Sequence, residues 1–160
     1  MTRIQKTVFI LVAIIALVLG LTVNKVFNSS NQGDPAALLD AGIVLLPQSR
    51  SLPALSLTNQ DGQAVAVDQL KGKWSLLFFG YTFCPDICPT TLADLAETLK
   101  LLGEDAQRVQ AIFISVDPDR DTPQQLATYT DFFGKRIIGL TGSPALIQAA
   151  ARNFKVRYEK

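Results

Sequence analysis

Cys84 and Cys88 are the only side chains in this chain with strong reactive or soft-metal chemistry, because its 160 residues include two cysteines and no histidine. They stand in the segment Tyr81-Thr-Phe-Cys-Pro-Asp-Ile-Cys-Pro-Thr90. With three residues between them, the two sulfurs can converge on one face at the mouth of a helix. Paired thiolates select soft cations, Cu(I) above all, whereas hard ions prefer carboxylates. The same pair can instead close as a disulfide and cycle between dithiol and disulfide. The absence of imidazole excludes a Ser-His-Asp triad, a Cys-His nucleophile, the His-based zinc motifs and a His general base.

The spacing also weighs the thiol chemistries against one another. Thioredoxin-type reductases use Cys-x-x-Cys, and here the motif is Cys-x-x-x-Cys. Cys88-Pro-Thr90 is similar to the peroxidatic turn of peroxiredoxins, but Pro85 occupies the position at which that family has Thr. If Asp86 or Cys88 caps the following helix, Pro89 falls in its first turn, where a missing N–H costs nothing. The positive helix end would then favour thiolates.

Asp117, Asp119, Arg120 and Asp121 gather in Ser115-Val-Asp-Pro-Asp-Arg-Asp-Thr-Pro123. They read either as a polar network at a strand end near the thiols or as turn and cap residues. Phe78, Phe79, Tyr81 and Phe83 read as core packing and a cover for the thiols, and Trp74 reads as core. Asn59-Gln-Asp-Gly62 lacks the acidic ligands of a calcium loop and is a turn.

The elements that must position the thiols follow from periodicity. The alternation around Asp61-Gly62 predicts a β-hairpin, with strands at 54–58 and 63–67. The apolar run at 74–80 is of strand length and suits a strand buried on both faces, ending just before the thiol segment. Open α/β sheets place their sites at such carboxyl ends. Helical spacing over 87–102, with Gly103 as a stop, is followed by a strand at 109–116 and a helix over 123–133 opened by Thr122-Pro123. A short strand at 136–140 and a helix from Ser143-Pro144 to about residue 154 complete the order. A hairpin followed by β-α-β-α-β-α indicates an α/β sandwich with parallel strands and right-handed crossovers.

The N-terminal segment has a different composition. Residues 8–23 carry no charge, and Thr7 and Asn24 extend the uncharged stretch to the length of a membrane span. Arg3 and Lys6 precede it, so the positive-inside rule places the N-terminus in the cytoplasm and the remainder across the membrane. An uncleaved anchor is favoured over a signal peptide, because the apolar stretch is long and no Ala-x-Ala-like site follows. This divides the chain into a cytoplasmic stub and transmembrane anchor at 1–27, a tether at 28–46 and a domain at 47–160. With Arg3, Lys6 and Lys25 set aside, 12 of the 15 basic residues remain against 14 acidic ones, which does not suggest a nucleic-acid surface.

The segment from Phe79 to Thr90 and that from Ser115 to Pro123, in that order and behind an N-terminal anchor, resemble the Sco/SenC family of membrane-anchored copper proteins. The resemblance spans roughly Leu52 to the end. It implies a thioredoxin-like fold facing the periplasm from the inner membrane and a metallochaperone role in loading the dinuclear copper centre of cytochrome c oxidase. A periplasmic copper donor and the copper-bearing oxidase subunit would be the partners. Cys84 and Cys88 would be copper ligands, with Asp117 and Arg120 near the site or partner surface rather than on the metal. A thiol-disulfide oxidoreductase that reduces the oxidase's copper-site cysteines would use the same two residues as its redox pair. The family's third ligand is a His on a later strand, and the chain reaches Lys160 before the family would supply it with a flanking hairpin and final helix. Two thiolates without that His favour Cu(I) over Cu(II). An uncovered sheet edge is also expected, as in a fragment whose site is not competent.

Overall fold

The computed structural model describes residues 3–29, 35–49, 51–52 and 56–159. The chain divides into two compact units, Met1–Arg50 and Ser51–Lys160.

The first unit contains helix α1 (Arg3–Ser29) and a short helix α2 (Pro35–Asp40). Gly42, in the left-handed region at φ +77°, stops α2, and the N–H of Ile43 donates to the Leu38 carbonyl at 2.7 Å. The large apolar side chains described along α1, from Val8 to Val23, are all more than half exposed. The expected membrane span is nevertheless not found, since among the described residues no helix is long and apolar enough to cross a membrane.

The second unit opens with β1 (Ser56–Asn59) and β2 (Ala64–Ala66), paired antiparallel with Leu57 opposite Val65. The side-chain oxygen of Asn59 accepts the N–H groups of Asp61 and Gln63 at 3.0 and 2.8 Å. Gly62 has φ +77°, a conformation that glycine adopts without strain. Of the strand expected at 54–58, residues 54 and 55 lie outside the described residues, and the second strand is shorter than expected because Val67 opens a 3₁₀ turn to Leu70.

Next come β3 (Trp74–Gly80), α3 (Ile87–Leu101), β4 (Val109–Ser115), α4 (Pro123–Phe133), β5 (Ile137–Thr141) and α5 (Pro144–Asn153). The caps lie where the sequence predicts them. Thr122 accepts the Gln125 N–H at 3.2 Å and Ser143 that of Leu146 at 3.4 Å, each ahead of a first-turn proline.

The five strands form one mixed sheet in the order β2-β1-β5-β4-β3. β3 is parallel to β4, β4 is parallel to β5, and β1 runs antiparallel to β5. Alternation along β4 divides the core between the two faces. Ala111 and Phe113 pack with Leu92 and Leu99 of α3 and Leu126 of α4, while Ile112 and Ile114 pack with Ile147 of α5. The predicted α/β sandwich with its N-terminal hairpin is therefore observed.

β3 departs from expectation. It is an edge strand, paired only with β4 among the described residues. Trp74 is 75% exposed and Leu76 is 37% exposed, so Trp74 is not a core residue. An apolar run of strand length is compatible with two-sided burial but does not show which neighbours the strand will have.

Candidate metal centre

The thiol segment joins the carboxyl end of β3 to the start of α3, beside the parallel end of β4. Cys88 lies in the first turn of α3 and is 3% exposed. Its sulfur occupies the space that a side chain at position 80 would need. A Cβ on Gly80 would stand 3.0 Å from Cys88 Sγ and 2.9 and 3.1 Å from ring carbons of Phe113 and Phe78. Phe113 is fully buried and stacks on Phe78 with ring centroids 5.9 Å apart.

Cys84 is only partly buried, and its backbone N–H donates to the Tyr81 carbonyl at 3.2 Å, closing a turn. The two thiols influence each other's protonation. Burial is the largest single influence on Cys84 and pushes its thiol up. It is outweighed by hydrogen bonds from the Cys88 thiol, the backbone N–H groups of Cys88 and Asp86, and the Tyr81 hydroxyl, so Cys84 is held below the ordinary thiol value. For Cys88, burial and the hydrogen bond to Cys84 push the thiol up to about 11, against a backbone hydrogen bond at Tyr81, and the negative charges of Cys84 and Asp121 raise it further.

The expectation that the helix start favours both thiolates is thus corrected. Asp86 is the N-cap but makes no side-chain cap hydrogen bond. The N–H groups at this end serve Cys84, while burial dominates at Cys88.

Nearby groups reflect the same charges. The charge of Cys84, then burial, raises Tyr81. Tyr129 of α4 is pushed up to about 12 by burial, then by Cys88, Cys84 and Asp121. Its hydroxyl is buried with no hydrogen-bond partner among the described residues, and its ring packs 5.7 Å from that of Phe113.

Arg120 Nε donates to Asp117 Oδ2, and its guanidinium lies 5.1 Å over the Phe83 ring. That ring is 57% exposed, so Phe83 is a surface residue beside the thiols and does not bury them. Asp121 is not a cap: it is fully buried and accepts hydrogen bonds from Thr82 and Ser115. Gly80, Thr82 and Tyr129 were not legible as site residues from the sequence. Only a glycine ending an apolar strand next to the thiol segment hinted at the first of them.

Among the described residues no group of three or more His, Cys, Asp or Glu side chains could hold a metal. The arrangement offers two soft donors at the start of one helix, suited to a two-coordinate soft cation and not to an ion that needs several hard ligands.

Residues 47–160 match the SCO1/SenC family. A protein of Stutzerimonas stutzeri is 45% identical over 121 residues, covering 74% of this chain and 59% of that one. The chain therefore spans about three fifths of that relative's length. The structure of Bradyrhizobium japonicum ScoI with copper bound is similar at TM-score 0.65 and 48% identity, over 67% of this chain and 68% of the other. BsSco, a member of the Sco family of cytochrome c oxidase assembly proteins in which a disulfide switch is identified, is similar at TM-score 0.62 and 31% identity, over 73% and 71% of the two chains. These likenesses establish the thioredoxin-like form of the α/β sandwich.

The two thiols should separate by pH. With Cys84 low and Cys88 near 11, iodoacetamide at neutral pH should label Cys84 first. Cys88 should become reactive only as pH rises toward 11, because a two-unit elevation leaves roughly 100-fold less thiolate. Peptide mapping by mass spectrometry reads both rates, and equal labelling at neutral pH would contradict the asymmetry.

Proposed function

The chain belongs to the SCO1/SenC family, and from that membership we propose that it is a copper metallochaperone, carrying copper on Cys84 and Cys88 for assembly of the dinuclear copper centre of cytochrome c oxidase. The observation that carries this reading is the pair of cysteines at the mouth of α3, one partly exposed and one buried. Copper here is cargo. The chain contributes two soft donors held at one point and an apolar floor, made by Phe78 and Phe113, beneath them.

Two thiolates hold Cu(I) linearly, whereas Cu(II) calls for more ligands, nitrogen among them, so Cu(I) is the preferred cargo. Transfer proceeds by ligand exchange. A thiolate of the partner adds to the metal as the accessible Cys84 leaves, and the buried Cys88 is released last. A copper donor protein loads the site and the copper-bearing oxidase subunit receives from it. Asp117 and Arg120, paired beside Phe83, form part of the surface that partners meet.

The thiol asymmetry also supports a second reading, a thiol-disulfide oxidoreductase in which Cys84 attacks and Cys88 resolves. The disulfide switch identified in BsSco is in keeping with it.

One titration separates these readings. The reduced full chain in detergent should take up one Cu(I) against a chromogenic chelator, without comparable uptake of Cu(II) through the thiols. Cys84→Ser and Cys88→Ser should each weaken Cu(I) binding by at least roughly 100-fold, since a single thiolate cannot hold the ion. Tight, stoichiometric Cu(II) binding by the thiols would contradict the preference. Failure to bind Cu(I), together with copper-free reduction of an insulin disulfide, would replace the chaperone reading with the reductase.

For the location, the support is the sequence's uncharged stretch together with the exposed apolar side chains of α1. We place the chain in the inner membrane as a single-pass protein, N-terminus in the cytoplasm and domain in the periplasm. After an alkaline carbonate wash the full chain should stay with the membranes, and protease added to spheroplasts should digest its domain. Recovery in the soluble fraction would contradict this placement.

A further inference from the structure

Cys84 and Cys88 are held by different parts of the molecule. Cys88 is fixed by α3 and by its seat at Gly80 against Phe113. Cys84 lies in the connecting segment before the helix, where its backbone N–H donates to the Tyr81 carbonyl at 3.2 Å. What fixes this segment is a buried carboxylate from elsewhere in the sequence.

Asp121 is 0% exposed. Its Oδ1 accepts the Thr82 hydroxyl at 2.6 Å, and its Oδ2 accepts the Thr82 backbone N–H at 3.0 Å and the Ser115 hydroxyl at 2.5 Å. Gln125 of α4 donates to the Thr82 hydroxyl at 3.4 Å. Asp121 is itself anchored, its N–H donating to the Asp117 carbonyl at 2.9 Å just ahead of the Thr122 cap. One side chain thus ties the turn that presents Cys84 to the end of β4 and the start of α4. Buried carboxylates are costly unless fully hydrogen-bonded, so this set of bonds allows few alternative placements of the loop.

We propose that Asp121 is the positioning residue of the thiol pair, clamping the Thr82 turn so that the Cys84 sulfur is held over that of Cys88. This rests on the reading of the pair as the working site, and the clamp serves copper binding and disulfide closure alike. Both reactions join two groups on one chain, so both gain from a high effective concentration of one sulfur at the other.

The test uses Asp121→Asn and Thr82→Val in the full chain in detergent, with two readouts: Cu(I) affinity by chelator competition and the dithiol-disulfide equilibrium in glutathione buffers. Asp121→Asn should weaken Cu(I) binding by roughly tenfold, about 1.4 kcal/mol, and disfavour the disulfide in the same direction. Thr82→Val, which removes only the hydroxyl, should do both by roughly threefold. A lowered melting temperature with both equilibria within about twofold of the parent would reduce Asp121 to a structural role and overturn the proposal. If Asp121→Asn does not fold, Thr82→Val decides by the same two readouts. Should the parent chain take up no Cu(I), the copper reading fails, and the copper-free disulfide equilibrium still decides whether the clamp exists.

Discussion

The site depends on a missing side chain. Gly80 ends β3 with its α-carbon facing the Phe113 ring and the Cys88 sulfur, at distances that leave no room for even a methyl group. That vacancy lets the first turn of α3 come close to the sheet and lets a sulfur, instead of a carbon side chain, fill the last position of the core. Burial then pushes the Cys88 thiol up, while Cys84 is held below the ordinary thiol value. The same seating directs the N–H groups of the helix start to Cys84. A chemically symmetrical pair in the sequence thereby becomes one reactive, partly exposed thiol and one deep, reluctant one, which is the asymmetry that metal exchange and disulfide exchange both require.

Much of this was legible in the sequence because local rules and the tertiary structure agree. β3, α4 and the N-termini of α3 and α5 begin where apolar period and Thr-Pro or Ser-Pro capping indicate, and the hairpin turns at Asp61-Gly62. The two cysteines were identified by elimination. The unread features depend on distant partners. The contact of Gly80 with Phe113 follows from the β3–β4 register, and the Asp121–Thr82 bond joins residues 39 apart in sequence. Trp74 and Leu76 read as core because nothing in an apolar run reveals that its strand lies at the edge of the sheet. Phe83 read as a cover for the thiols, and it lies at the surface under Arg120 because the turn that contains it projects from the sheet end.

The two units of the chain have opposite relations to apolar surface. In the second, side chains on both faces of β4 are removed from water by three helices, as folding in water demands. In α1 the large apolar side chains described from Val8 to Val23 remain more than half exposed. These 160 residues carry no imidazole, and their two thiols are the soft donors they offer. A hard or nitrogen-seeking ion finds little to bind, and among the described residues no cluster of carboxylates offers an alternative.

In the function proposed above, the Cys84 and Cys88 sulfurs by themselves hold Cu(I) in a two-coordinate site. X-ray absorption at the copper edge of the Cu(I)-loaded full chain tests it directly. The expected result is two sulfur scatterers at a single short distance and the sharp edge feature of digonal Cu(I), with no nitrogen or oxygen bound to the metal. A first shell with a nitrogen or oxygen donor, or with a third sulfur contributed by a second copy of the chain, would contradict it.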